Sequence, residues 1–177
     1  MKKVILLTIF AALMMISSAA VAQTTASGTL TVTATVNGSI QLVFNSDASG
    51  VALSSGAGTN TATLDFGAVS AFGAINPKIV RTTTASNFTV SSAVDVQVAK
   101  TNSASANYTL VAQLGAADAV NTWSVGGVAV TSAAQSTLTA TGTYAANSNF
   151  PVAITIPFTT ASGTLISNTI NYTATAN

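Results

Sequence analysis

The sequence contains neither cysteine nor histidine, and these two absences remove most of the usual catalytic and metal-binding side chains. Without them, neither a Ser-His-Asp triad nor a Cys-His pair can be assembled. Zinc sites of the Cys or Cys/His type are excluded for the same reason. No disulfide can form, so stability must come from the apolar core, the sheet hydrogen bonds or association with other chains.

Charged residues are also scarce, at 5% of the chain. The acidic residues are all aspartates in separate segments, and nothing in their spacing brings two of them to one cleft for acid–base catalysis. The few basic residues form no patch, which argues against a nucleic-acid partner. We therefore expect a protein that is not an enzyme and that uses no cofactor and no metal ion.

Residues 1–22 have the pattern of a secretory signal peptide. Lys2 and Lys3 are followed by the apolar run Val4–Ile16 and by Ala20-Val21-Ala22, which fits a cleavage site. The apolar run is shorter than the ~20 residues that a membrane-spanning helix needs. We expect a secreted protein whose mature chain is residues 23–177.

The mature chain alternates between apolar and polar residues with the period of two that is typical of β-strands. The clearest case is Thr29–Val36, in which threonines share one face and the other face is formed by Leu30, Val32, Ala34 and Val36. Other alternating runs include Thr61–Phe66, Val94–Lys100, Tyr108–Leu114 and Leu165–Ala176. About nine short strands at such spacings predict an all-β sandwich or barrel in one domain.

Asn37-Gly38 follows the first alternating run and precedes the next, Ser39–Phe44. This dipeptide is a strong signal for a two-residue hairpin. Local chemistry therefore favours pairing of Thr29–Val36 with Ser39–Phe44 in the same chain. The alternative is that Thr29–Val36 pairs with a neighbouring molecule.

Four landmarks follow one another along the mature chain: the strand Gly28–Val36 running into Asn37-Gly38-Ser39, the segment Ala62–Gly67 with its Leu-x-Phe-Gly pattern, the apolar strand Phe150–Phe158, and the turn Ser162-Gly163 before Ile166–Ala176. In this order they resemble the archaic chaperone–usher pilins, a group related to the spore coat protein U domain. The family's two cysteines are absent, and the best-matching positions hold Ser39 and either Ser91 or Ser92.

The resemblance implies an immunoglobulin-like, pilin-type β-sandwich that lacks one strand. The N-terminal strand of the next subunit would fill the gap, an example of strand addition. Residues 23–36 would then be the donor segment, with Leu30, Val32, Ala34 and Val36 facing the acceptor, and residues 37–177 the sandwich. The implied partners are further copies in a head-to-tail polymer and, during passage through the periplasm, a chaperone and an outer-membrane usher. The implied location is the cell surface, in a fimbrium.

Two other functions remain open at this point. One is a monomeric, secreted module that binds carbohydrate or a surface, with Trp123 as a stacking platform. The other is a secreted hydrolase, which the missing catalytic side chains make the weaker of the two.

Overall fold

The computed structural model describes residues 27–177, so the predicted signal peptide and the first residues of the predicted mature chain lie outside the described residues. Two units are distinguished, with their boundary between Thr35 and Val36. In the first unit, the described residues 27–35 form no strand and are exposed to solvent. All regular structure among the described residues belongs to the second unit.

Eleven strands and no helix make up the regular structure of residues 27–177. The strands are β1 (Ser39–Ser46), β2 (Val80–Thr83), β3 (Asn87–Ser92), β4 (Val94–Thr101), β5 (Tyr108–Leu114), β6 (Thr122–Val125), β7 (Val128–Val130), β8 (Ser136–Gly142), β9 (Asn147–Asn149), β10 (Val152–Pro157) and β11 (Ile170–Ala176). The all-β sandwich predicted from the sequence is confirmed.

The strands form three antiparallel sheets, ordered β1-β4-β9, β2-β3-β10-β6-β7 and β11-β5-β8. Only Ala93 separates β3 from β4, so one long run of extended chain passes from the five-stranded sheet to a three-stranded one. A hairpin about Gly126-Gly127 joins β6 and β7. Both glycines have positive φ, at 58° and 79°, as a tight hairpin turn requires.

The core is built by strict alternation along β3, β4, β5 and β10, where every second side chain is buried. The alternation that identified these strands in the sequence is therefore the alternation that fills the core. The fully or nearly fully buried side chains are mainly valine, leucine and isoleucine, together with Phe88, Tyr108 and Trp123.

The structure corrects the hairpin predicted about Asn37-Gly38. Residues 27–38 contain no strand, and β1 pairs with β4 in the register Leu42 opposite Val98. Gly38 lacks the positive φ of a tight hairpin turn. Its backbone lies against Asn102 instead, where an added Cβ would stand 2.7 Å from the Asn102 carbonyl oxygen. Glycine is needed there for a close approach of two backbones.

Two other strand predictions also differ from the structure. Residues 61–66 form no strand, and the last strand begins at Ile170 rather than at Leu165. Both segments nevertheless keep the alternation of exposed and half-buried side chains that a strand would have. The short strand β9 was not predicted, because Asn-Ser-Asn has no apolar alternation.

Candidate strand-binding cleft

A cleft of about 1450 Å³ opens within the unit formed by residues 36–177. Its floor is the inner face of the five-stranded sheet, formed by Phe88, Val90, Trp123, Val152, Ile154 and Ile156. These side chains are buried or nearly so. The floor of the cleft is therefore apolar and continuous with the core.

One wall of the cleft is the extended segment of residues 60–71. Ala62, Leu64 and Phe66 are half-buried, while the residues between them are exposed. The segment belongs to no sheet, and its only bridge pairs Thr63 with Ser55. It has the side-chain pattern of a strand along most of its length without a partner strand.

A second wall is formed by residues 160–172, which lead into β11. Ile166, Ile170 and Tyr172 are half-buried and alternate with exposed residues. As on the other wall, the alternation extends beyond the hydrogen-bonded strand, which begins only at Ile170. Two strand-like segments therefore line the cleft.

The edge of β1 at the cleft has free backbone groups. The N–H of Phe44 donates to the Thr59 carbonyl at 2.8 Å, and the Phe44 carbonyl accepts from the N–H of Gly58 at 2.7 Å. Because backbone groups alternate between the two edges of a strand, those of Ile40 and Leu42 point to this same edge. Within residues 27–177 they have no backbone partner there.

The edge of β11 is free in the same way. The Thr169 carbonyl accepts from the N–H of Gly115 at 2.7 Å, and the N–H of Asn177 donates to the Asn107 carbonyl at 3.1 Å. The odd-numbered residues of β11 therefore bond to β5, and the groups of Ile170, Tyr172 and Ala174 point away from it. The described chain supplies no strand for that edge.

The core is incomplete along these edges. No side chain of β1 or β11 is buried, whereas β3, β4, β5 and β10 all have buried residues. The rings of Phe44 and Tyr172 contact each other edge to face at 5.1 Å between their centres. Burial raises the pKa of Tyr172, so this phenol stays neutral at physiological pH and acts as part of the apolar surface.

The four predicted donor residues are on a segment that is exposed throughout. Leu30 and Val32 are 88% and 81% exposed, and Val36 is also exposed. Ala34 is exposed as well. As an extended strand, Thr29–Val36 would span about 26 Å, the same as β1, which also has eight residues.

Trp123 does not form a stacking platform on the surface. Its ring is buried, and its indole N–H donates to Asp118 Oδ2 at 2.8 Å. Although burial of the carboxylate raises the pKa of Asp118, the N–H groups of Asn121, Trp123 and Val120 more than offset this and lower it to about 2. Asp118 is thus a hydrogen-bond acceptor that positions a core residue, and no local motif marks this pair.

Two aspartates that seemed unrelated in the sequence share one partner. Asn149 Nδ2 donates to Asp47 at 2.9 Å and to Asp95 at 3.3 Å. Hydrogen bonds from Ser49 lower the pKa of Asp47. The cluster is exposed and does not line the cleft. Among residues 27–177 no three acidic residues come together as metal ligands.

No helix within residues 27–177 has both the length and the apolar character required to cross a membrane. Comparison of the chain with models of protein families, with characterised proteins and with solved structures gives no match. The pilin resemblance and its immunoglobulin-like fold subtype therefore stay predictions.

Proposed function

We propose that the protein is a structural, non-enzymatic subunit of a secreted surface fibre, and that the cleft receives the segment Thr29–Val36 of another copy. One observation carries the proposal: β1 and β11 both line the cleft, and within residues 27–177 each has one edge with no partner strand. A chain that supplies such a strand would pair the free backbone groups of β1 and β11.

Thr29–Val36 has the composition that this cleft requires. One face is apolar and suits the floor formed by Val90, Ile154 and their neighbours. The other face is threonine, which suits a solvent-exposed sheet surface. Burial of the three larger side chains would contribute roughly 1.5–3 kcal/mol each, or about 5–9 kcal/mol before the cost of association.

A link between a donor segment on one copy and a cleft on the next does not close on itself, so repetition gives a filament. Until it receives a donor strand, each subunit exposes an apolar cleft and open strand edges. Such a surface aggregates easily, and a periplasmic chaperone and an outer-membrane usher would protect it during export. The sandwich would be of the immunoglobulin-like, pilin type.

A pair of matched substitutions tests the proposal. Val32→Asp puts a charge on the apolar face of the donor segment, whereas Thr33→Asp puts the same charge on the threonine face one residue away. We expect electron microscopy to show filaments of the unmodified protein and of Thr33→Asp, and none of Val32→Asp, because burial of an unpaired carboxylate is costly. Filaments of normal length from Val32→Asp would contradict the assigned face, and a monomeric unmodified protein would contradict the function.

A further inference from the structure

An exposed phenylalanine lies at one end of the strand-binding cleft. Phe72 is 73% exposed, and its ring centre is 6.0 Å from that of Phe158, which is 39% exposed. Phe158 lines the cleft and stacks on the buried ring of Phe88 at 6.3 Å. The two partly exposed rings, Phe72 and Phe158, are called the aromatic cap below.

The turn that carries Phe72 is held in place by several bonds. The guanidinium of Arg81 donates to the carbonyls of Ser70 and Gly73, at 2.8 and 2.9 Å. The Ser70 hydroxyl donates to the Phe72 carbonyl at 2.6 Å. The exposure of Phe72 is therefore fixed by the structure of the turn and is not the result of a loose loop. A large apolar side chain held in solvent is typical of a contact surface.

The aromatic cap lies at the opposite end of the β3–β4 run from the start of β1. Phe88, beneath the cap, is near the first residue of β3, whereas Ser39 pairs with Thr101, the last residue of β4. The turn of residues 101–107 continues from that point, and the backbone of Gly38 lies against it at Asn102. Ser39 and this turn are called the N-terminal pole.

Only Asn37 and Gly38 separate the donor segment from β1, so Val36 and Ser39 are at most about 11 Å apart. In the proposed fibre, the body of the donor copy must therefore touch the acceptor at the end of the cleft from which Val36 emerges. If Val36 emerged beside the acceptor's N-terminal pole, the N-terminal poles of the two copies would meet. That arrangement favours a closed dimer in which each copy inserts its donor segment into the other. If Val36 emerges beside the acceptor's aromatic cap, the N-terminal pole of one copy meets the aromatic cap of the next, and a filament can grow.

We infer that the aromatic cap is a second contact between subunits, covered by the N-terminal pole of the next copy. This inference rests on the proposed function and adds to it a body-to-body contact outside the donor strand. Its partner is a second copy of this chain, because the short connection leaves no room for another molecule at that end.

Crosslinking tests the contact, and the absence of cysteine means that introduced thiols are unique. Ala74→Cys places a thiol two residues from Phe72, and Ala104→Cys places one on the N-terminal pole; both positions are exposed. We expect the double variant, treated as filaments with a flexible bis-maleimide, to give a ladder of covalent oligomers. The matched control replaces Ala74→Cys by Ala129→Cys, at an exposed position on the flank strand β7, and should give no ladder.

Three outcomes would overturn the inference. In the first, the double variant forms filaments that do not crosslink. In the second, the control with Ala129→Cys gives a ladder of the same yield as the double variant. In the third, Ala74→Cys alone gives covalent dimers as the main product. The last would show that like ends meet. If the unmodified protein forms no filaments, the proposed function and this inference fail together. If Val32→Asp abolishes filaments but the ladder is absent, only this inference fails.

Growth kinetics provide a second readout with the phenylalanine itself changed. Phe72→Ser should slow filament growth or raise the critical concentration roughly tenfold or more, the factor expected when one large side chain loses its burial. Val80→Ser is the matched control, since Val80 is 64% exposed on the edge strand β2. Growth of Phe72→Ser at the rate of this control would contradict the contact. The melting temperature of the monomer should change little in either variant.

Discussion

The carboxylate of Asp118 fixes the position of the single tryptophan, because Trp123 has no other partner for its indole N–H among the described hydrogen bonds. The pKa of Asp118 is about 2 in the folded protein, below its ordinary value of 3.8. The unfolded chain therefore takes up the proton more readily. The stabilisation from this carboxylate is fully present above about pH 3.8 and is lost as the pH falls towards 2.

We expect Asp118→Asn to lower the free energy of unfolding by about 1 kcal/mol at pH 7, because a charge-assisted hydrogen bond becomes a neutral one. The difference from the unmodified protein should shrink as the pH falls towards 2. Denaturation followed by the fluorescence of Trp123 measures both effects directly.

Asp65→Asn is the matched control for charge removal. Asp65 Oδ1 accepts only from the nearby N–H of Gly67, at 2.7 Å, and has no buried partner. This variant should leave the tryptophan emission unchanged. An Asp118→Asn variant whose stability deficit is the same at pH 2 and pH 7 would show that the ionised carboxylate has no role in holding the indole.

At the scale of the element, β11 has one hydrogen-bonded edge and one free edge. The N–H groups of its odd- and even-numbered residues should therefore exchange hydrogen at different rates. The N–H groups of Asn171 and Thr173 bond to β5, whereas those of Tyr172 and Ala174 point to the free edge. In the monomer, site-resolved hydrogen exchange should be slow at the first pair and fast at the second. In filaments all four should be slow, because a donor strand would occupy the free edge.

Slow exchange at Tyr172 in the monomer would contradict an open edge. The strands β3 and β10 provide an internal control, since each is bonded on both sides. Their amides, for example those of Thr89 and Ile154, should be slow in the monomer and in filaments alike.

The sequence predicted those elements whose alternation and hydrogen-bonding partners are both present in one chain. Val94–Thr101 and Tyr108–Leu114 are strands almost as predicted, because their inward side chains fill the core. Residues 61–66 have the same alternation but no partner strand, and a sequence pattern shows which way side chains point without showing what pairs with the backbone. The segment therefore looks like a strand in the sequence and lines a cleft in the structure.

The features of the site that the sequence did not predict depend on residues far apart in the chain. Gly38 suggested a hairpin, yet it is required by the approach of Asn102. Asp118 accepts a hydrogen bond from Trp123, and Arg81 donates to a backbone carbonyl of the turn that carries Phe72. No local motif marks either contact. The apolar face formed by Leu30, Val32, Ala34 and Val36 is visible in the sequence, whereas the cleft proposed to accept it depends on segments that are far apart in the chain.

At the scale of the whole molecule, residues 27–35 are the described part of the first unit, and they contribute no strand. All eleven strands of the described chain lie within residues 36–177. Deletion of residues 23–36 should therefore leave a folded subunit that cannot form filaments. Circular dichroism would show whether the β structure is retained, and electron microscopy would show whether filaments are lost.

The same truncated subunit allows the cleft to be filled from outside. A synthetic peptide of residues 27–38 should bind it and raise its melting temperature, because a ligand at a hundredfold excess over its Kd adds about 2.7 kcal/mol of stability. The peptide with Val32→Asp should have no effect, and the peptide with Thr33→Asp should act like the unmodified one, since only the first places a charge against the apolar floor. If the truncated subunit unfolds and the full chain stays monomeric, residues 29–36 stabilise their own molecule and the donor-strand proposal is wrong.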